Sequence, residues 1–193
     1  MHSIELTQND KNTLLDIARQ SIEYGLKHKM PLPININEYS AELKQHLATF
    51  VTLNINHQLR GCIGTLKAYQ SLITDISEHA FAAAFKDPRF SPVTETEYNQ
   101  LDIHISILMP PEDMHCISEN DLLQQLQPGI DGLVLKSGSH QATFLPAVWE
   151  NLPDPREFVQ QLKLKAGLNK TFWSTDIQLQ RYYTISIPDQ TIH

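Results

Sequence analysis

Two segments of alternating apolar residues lie three residues apart, and that spacing dictates how this part of the chain must fold. Within Thr49 to Ile55, Val51, Leu53 and Ile55 alternate with Thr52 and Asn54; Asn56-His57-Gln58 follows, and then a second apolar segment from Leu59 to Leu66. So short a connection returns the strand as an antiparallel hairpin, because parallel neighbours need a crossover of about a dozen residues or more. Gly132 to Lys136 and Ala142 to Leu145 repeat the arrangement around Ser137-Gly138-Ser139-His140. In DIHISIL (102–108), Ile103, Ile105 and Ile107 face one way and Asp102, His104 and Ser106 the other, which predicts a half-buried strand. A last strand is expected over Ile177 to Ile187, closed by Pro188.

Helices fill the intervals without a regular strand-helix-strand rhythm. Thr7 is an N-cap for 8–27, where Leu14, Leu15, Ala18, Ile22 and Leu26 recur at helical spacing. Pro31 and Pro33 break the pattern, so 30–40 reads as a crossing loop. Ser71 caps a helix over 70–85 with Leu72, Ile76, Ala80 and Ala83 on one stripe, and Asp87-Pro88-Arg89-Phe90 ends it. A short helix starts from Ser118 and runs to about 126, and Asp154-Pro155-Arg156-Glu157 opens another that Gly167 closes. Together these predict an α+β fold, an antiparallel or mixed sheet flanked by helices. No Gly-, Ser- or Pro-rich stretch divides the chain, so 1–193 is expected to be a single domain with a minor lobe over about 110–150.

Charge and cysteine usage exclude several classes of function. Against 22 acidic residues stand 15 Lys and Arg, a formal net charge of −7, with no basic cluster to neutralise phosphates; nucleic acid is not an expected partner. No apolar run approaches the roughly 20 residues that span a bilayer, so no membrane partner is expected. The N-terminal MHSIELTQND lacks a basic segment followed by an apolar run and a cleavage site, which points to a cytoplasmic protein. Cys62 and Cys116 are far apart and read as reduced thiols; neither HExxH nor paired histidines at ligand spacing occurs, so no metal and no cofactor is expected.

Chemistry concentrates in Leu59-Arg60-Gly61-Cys62-Ile63-Gly64. In a regular strand Arg60, Cys62 and Gly64 share one face and Leu59, Gly61 and Ile63 the other. Two glycines within four residues point to a bulge, or to a surface that a ligand or another backbone approaches closely. A guanidinium beside the thiol favours the thiolate. Against this stands a packing explanation, a buried cysteine between glycines that serve a helix contact. Asp87-Pro88-Arg89-Phe90 is the second candidate: Pro88 stiffens the turn and Arg89 offers a planar fork suited to carboxylate or phosphate, unless Asp87 and Arg89 satisfy each other and nearby backbone. His57, His79 and His104 are each candidate bases for Cys62, and spacing does not choose among them. Glu78, Asp87, Glu95 and Glu97 read as solvated or capping groups.

At these residues the chain resembles a known family, the AMMECR domain proteins, also called AmmeMemoRadiSam system protein A. LRGCIG resembles its signature, and Ala82-Ala83-Ala84-Phe85, Asp87-Pro88-Arg89-Phe90, Leu101 to Leu108, Phe144-Leu145-Pro146 and Lys165-Ala166-Gly167-Leu168 are similar to its other blocks, in order and at similar spacing. The resemblance implies an α+β domain with an antiparallel sheet, flanking helices and a smaller lobe, the signature lying at a cleft. It supplies no reaction. It also implies association with a Memo-like protein and a radical SAM protein, to which family members are similar or with which they are encoded. This chain departs from the pattern at Ala147, where family members often carry Gln, and at Lys163, where they often carry Cys.

Three functional expectations follow. In the first, the chain is a binding or accessory module whose cleft, formed by Arg60, Gly61, Cys62, Gly64, Asp87, Arg89 and Phe90, receives a small anionic ligand or a protein partner. In the second, Cys62 is the catalytic nucleophile or redox thiol of an enzyme, with Arg60 stabilising negative charge. In the third, the motif only shapes an interaction domain.

Overall fold

A computed structural model describes residues 4–188. In chain order the elements are α1 (Gln8–His28), β1 (Ala48–Ile55), β2 (Gln58–Gly64), α2 (Leu72–Phe85), α3 (Glu95–Tyr98), β3 (Asp102–Leu108), β4 (Glu112–Met114), α4 (Glu119–Gln125), β5 (Gly132–Ser137), β6 (His140–Phe144), α5 (Pro155–Lys165), β7 (Gln178–Tyr182) and β8 (Thr184–Pro188). The fold is α+β, with two four-stranded sheets ordered β2-β1-β3-β8 and β4-β7-β5-β6. The chain divides into two compact units, one running through Leu108 and resuming at Ile185, the other Met109–Thr184. The second contains the stretch expected as a minor lobe.

In the first unit, Thr7 accepts the amide of Asp10 while the Asp10 carboxylate accepts the amide of Thr7, so α1 starts on a closed capping box. Strands β1 and β2 are joined by Asn56 and His57 alone, both at positive φ (51° and 62°). This two-residue turn matches the right-handed twist of the strands. On the sheet face toward α1 and α2, Val51, Leu53, Ile103, Ile105 and Ile107 are fully buried. Each such side chain contributes about 1.5–3 kcal/mol relative to an exposed one. The opposite face carries Thr52, Asn54, Asp102, His104 and Ser106, all half-buried.

In the second unit, Leu133, Leu135 and Leu179 of the sheet pack on Leu122 of α4 and on Phe158, Val159 and Leu162 of α5. Trp149 stacks on Phe158 with ring centroids 3.8 Å apart and donates its indole N–H to the carbonyl of Asp131 (2.7 Å). Lys163 is fully buried; its Nζ meets Glu119 Oε2 at 2.7 Å and the carbonyl of Lys170 at 3.2 Å.

The single last strand expected over Ile177 to Ile187 is two strands in different sheets. The ladder breaks at Tyr183, whose carbonyl accepts the amide of Met109 (3.0 Å). The two shortest elements, α3 and β4, have too few residues to show a period, and sequence periodicity did not mark them.

Candidate functional site

The motif strand β2 lies at the edge of its sheet. Its pairing with β1 slips by one residue: Asn54 faces Leu59 but Leu53 faces Gly61, so Arg60 is the unmatched residue of a β-bulge. The regular alternation expected through Arg60 is interrupted there. Gly61 lies on the helix side, where a Cβ would come within 2.2 Å of the carbonyl oxygen of Ala83 in α2. Gly64 lies under Phe50, whose Cγ would be 2.4 Å from an added Cβ. Both glycines therefore permit close approach within the fold rather than presenting backbone to solvent.

The arginines are engaged. Arg60 donates from Nε to Glu97 Oε1 (2.8 Å) and from Nη2 to Glu97 Oε2 (3.2 Å) and the carbonyl of Ser91 (2.9 Å). Its Nη1 is buried with no hydrogen-bond partner among the described residues. Arg89 donates from Nε and Nη2 to both oxygens of Asp87 and from Nη2 to the carbonyl of Cys62 (3.4 Å), and its side chain is 54% exposed. Asp87, buried, also accepts the amide of Cys62 (2.9 Å). An edge strand exposes unpaired backbone groups, and the Asp87-Arg89 fork closes those of Cys62 as a neighbouring strand would. The Phe90 ring centroid is 5.8 Å from Arg60 Cζ and 5.4 Å from Arg89 Cζ.

The thiol faces a different set of groups. The bulge places Cys62 opposite Thr52 of β1, and Thr52 Oγ1 donates to Cys62 Sγ (3.3 Å). Thr52 is in turn opposite His104 of β3, whose Nε2 lies 2.8 Å from Ser186 Oγ of β8. Of the three candidate histidines, only His104 shares the face of Cys62. His79 is buried on the helix side, its Nδ1 3.0 Å from Thr49 Oγ1 and 3.1 Å from Asp75 Oδ2. His57 sits at the tip of the turn. Cys116 belongs to the second unit, where burial pushes its thiol pKa up.

The structure thus brings together Arg60, Cys62, Asp87, Arg89 and Phe90, and gives Gly61 and Gly64 packing roles. Sequence reasoning missed Thr52, Ser186 and the pairing of Glu97 with Arg60. Thr52 and Ser186 had a usable signal, a polar residue at an alternating position of a strand. Among the described residues no three His, Cys, Asp or Glu side chains are placed to hold a metal ion. No described helix is long and apolar enough to cross a membrane.

The hydrogen bonds from Arg89, with those of the Cys62 and Arg89 amides, hold Asp87 well below the usual carboxylate range against the opposing effect of burial. Glu97 is held down to about 2, first by Arg60 and then by the amide and hydroxyl of Thr94. Since this folded-state value lies below the ordinary 4.5, Glu97 contributes its full stability above pH 4.5 and loses it as pH falls through about 2. Melting temperature should therefore drop across that window, and Glu97→Gln should flatten the drop; parallel pH profiles for the two proteins would reject the linkage.

Comparison with known proteins gives this architecture a family. A family model described as AMMECR1 matches residues 15–187, and the chain belongs to that family. It is 33% identical over 185 residues to a protein of Methanothermobacter thermautotrophicus, covering 92% of this chain and 93% of the relative. A Methanocaldococcus jannaschii protein is likewise 33% identical over 185 residues, covering 92% and 89%. The crystal structure of an uncharacterized Pyrococcus horikoshii protein superimposes with a TM-score of 0.76 at 30% identity, covering 90% of this chain and 88% of that one.

Proposed function

We propose that this chain is a binding or accessory module that receives a small anionic ligand, or a carboxylate-bearing segment of a partner protein, beside Cys62. The observation that carries this reading is Arg89. Asp87 fixes its guanidinium through Nε and Nη2, Nη1 has no hydrogen bond among the described residues, and the side chain stays half exposed beside the Cys62 backbone. A pre-fixed fork binds an anion without first losing its own rotamer freedom. Arg60, committed to Glu97, takes a supporting part by stacking on Phe90. By resemblance, the protein partner would be a Memo-like or radical SAM protein. Titration with phosphate, sulfate and citrate, read by NMR shifts, tests the reading. Arg89→Ala should weaken the tightest of these about tenfold, the loss of one charge-assisted hydrogen bond. Unchanged affinity together with a collapsed melting temperature would leave Arg89 as an edge cap only.

A second reading is favoured by one observation, the Thr52 hydroxyl directed at Cys62 Sγ. A donor aimed at sulfur stabilises the thiolate, the form that acts as nucleophile or redox thiol. Here Cys62 is the catalytic residue of a cysteine-dependent enzyme.

A further inference from the structure

Four side chains lie across the first sheet, one from each strand: Cys62 on β2, Thr52 opposite it on β1, His104 opposite Thr52 on β3, and Ser186 on β8, bonded to His104. Each belongs to the face turned away from α1 and α2. We propose that this row is a proton relay in which His104 is the proton acceptor for Cys62, acting through Thr52; the proposal rests on the cysteine-dependent reading.

The bonds at its two ends carry the argument. Ser186 occupies Nε2 of His104, and when Nε2 carries the proton and donates it to Ser186 Oγ, Nδ1 is the basic ring nitrogen. Thr52 stands directly opposite both His104 and Cys62; its hydroxyl donates to Cys62 Sγ and makes no hydrogen bond to His104 among the described residues, so the transfer requires that hydroxyl to turn from sulfur toward Nδ1. In the transfer, the S–H proton of Cys62 passes to Thr52 Oγ1 as the hydroxyl proton of Thr52 passes to His104 Nδ1. The products are a thiolate and an imidazolium, with net charge conserved and no other reactant required. Thr52 then carries the former thiol proton, its hydroxyl oxygen 3.3 Å from Cys62 Sγ. Among groups that titrate, Asp102 lies two residues before His104 on β3 and Cys62 lies beyond Thr52 on β2, with the Asp87-Arg89 pair beside it. On this face β1 presents Phe50, Thr52 and Asn54, and β8 presents Ser186.

The test is the rate of Cys62 alkylation by iodoacetamide against pH, in a Cys116→Ser background that leaves one thiol. Sulfur gains the carbon and iodide leaves, so the rate follows the thiolate. With the relay present the rate rises in two limbs, the lower one following the imidazole rather than the thiol. His104→Gln and Thr52→Val should each remove the lower limb and slow labelling at pH 7 about tenfold, and Thr52→Ser should restore it. A lower limb in the parent that survives His104→Gln and Thr52→Val overturns the relay and leaves the cysteine reading standing. A parent thiol that labels only on unfolding overturns both, and leaves the anion-binding reading to its own titration.

Discussion

Replacing Glu119 with alanine should cost the Met109–Thr184 unit about 3–5 kcal/mol, the penalty for stranding a buried charge by removing its partner. Lys163 has no exposed surface, and its ammonium reaches Glu119 and the carbonyl of Lys170, with the Trp173 ring centroid 5.9 Å away. Without the carboxylate, the cation keeps one neutral acceptor and an aromatic face. The reverse change is expected to be milder. Lys163→Met fills a similar volume with an unbranched apolar chain, while Glu119, 25% exposed, turns toward water, so a loss of about 1–2 kcal/mol is expected. The double variant should resemble Lys163→Met alone. Both tryptophans, Trp149 and Trp173, lie in this unit, so urea unfolding followed by fluorescence reports on it directly. A Glu119→Ala protein within about 1 kcal/mol of the parent would mean that the ammonium finds another partner or water.

Lys163 also shows where sequence reading stops. Its position is visible, two residues before the lysine of Lys165-Ala166-Gly167-Leu168, but nothing local shows that α5 turns it inward toward the first turn of α4, 44 residues earlier. Local rules served where the cause is local. Thr7, Ser71, Ser118 and Asp154 each accept an amide of the first helical turn, and the helices begin where those caps stand. Alternation located β1, β3 and β5 because each has one buried face. Register was the quantity hidden from view. A two-residue turn with regular pairing would set Cys62 opposite Val51, on the buried face; the bulge at Arg60 shifts it to Thr52, on the other. The two glycines suggested a bulge, yet its exact residue depends on what α2 requires of β2. Asp87 and Arg89 were legible as a pair, but their use as a cap for the Cys62 backbone depends on β2 being an edge strand, a property of the whole sheet.

That dependence predicts the second large effect, a loss of about 3 kcal/mol or more for Gly61→Ala. Overpacking is tolerated when a flexible side chain can yield, but here the added Cβ would lie 2.2 Å from the carbonyl oxygen of Ala83, which is helix backbone. Either α2 moves off the sheet or β2 moves away from α2. In the first case Ala80, Ala83 and Ala84, buried because the helix lies so close, lose contacts; in the second the bulge and the Asp87 bond to the Cys62 amide are disturbed. At about 2–4 °C per kcal/mol for a chain of this size, the melting temperature should fall by about 6–12 °C, measurable by circular dichroism. Cys62→Ser, which keeps a small side chain that accepts from Thr52, should leave the melting temperature nearly unchanged. The two results together assign separate duties within one motif. Gly61 sets how near the helix comes, and the thiol beside it is left free of any duty to the fold. If Cys62→Ser instead matched Gly61→Ala in its loss, the motif would be a packing device throughout, and the cysteine-dependent reading, with the relay that rests on it, would lose its basis.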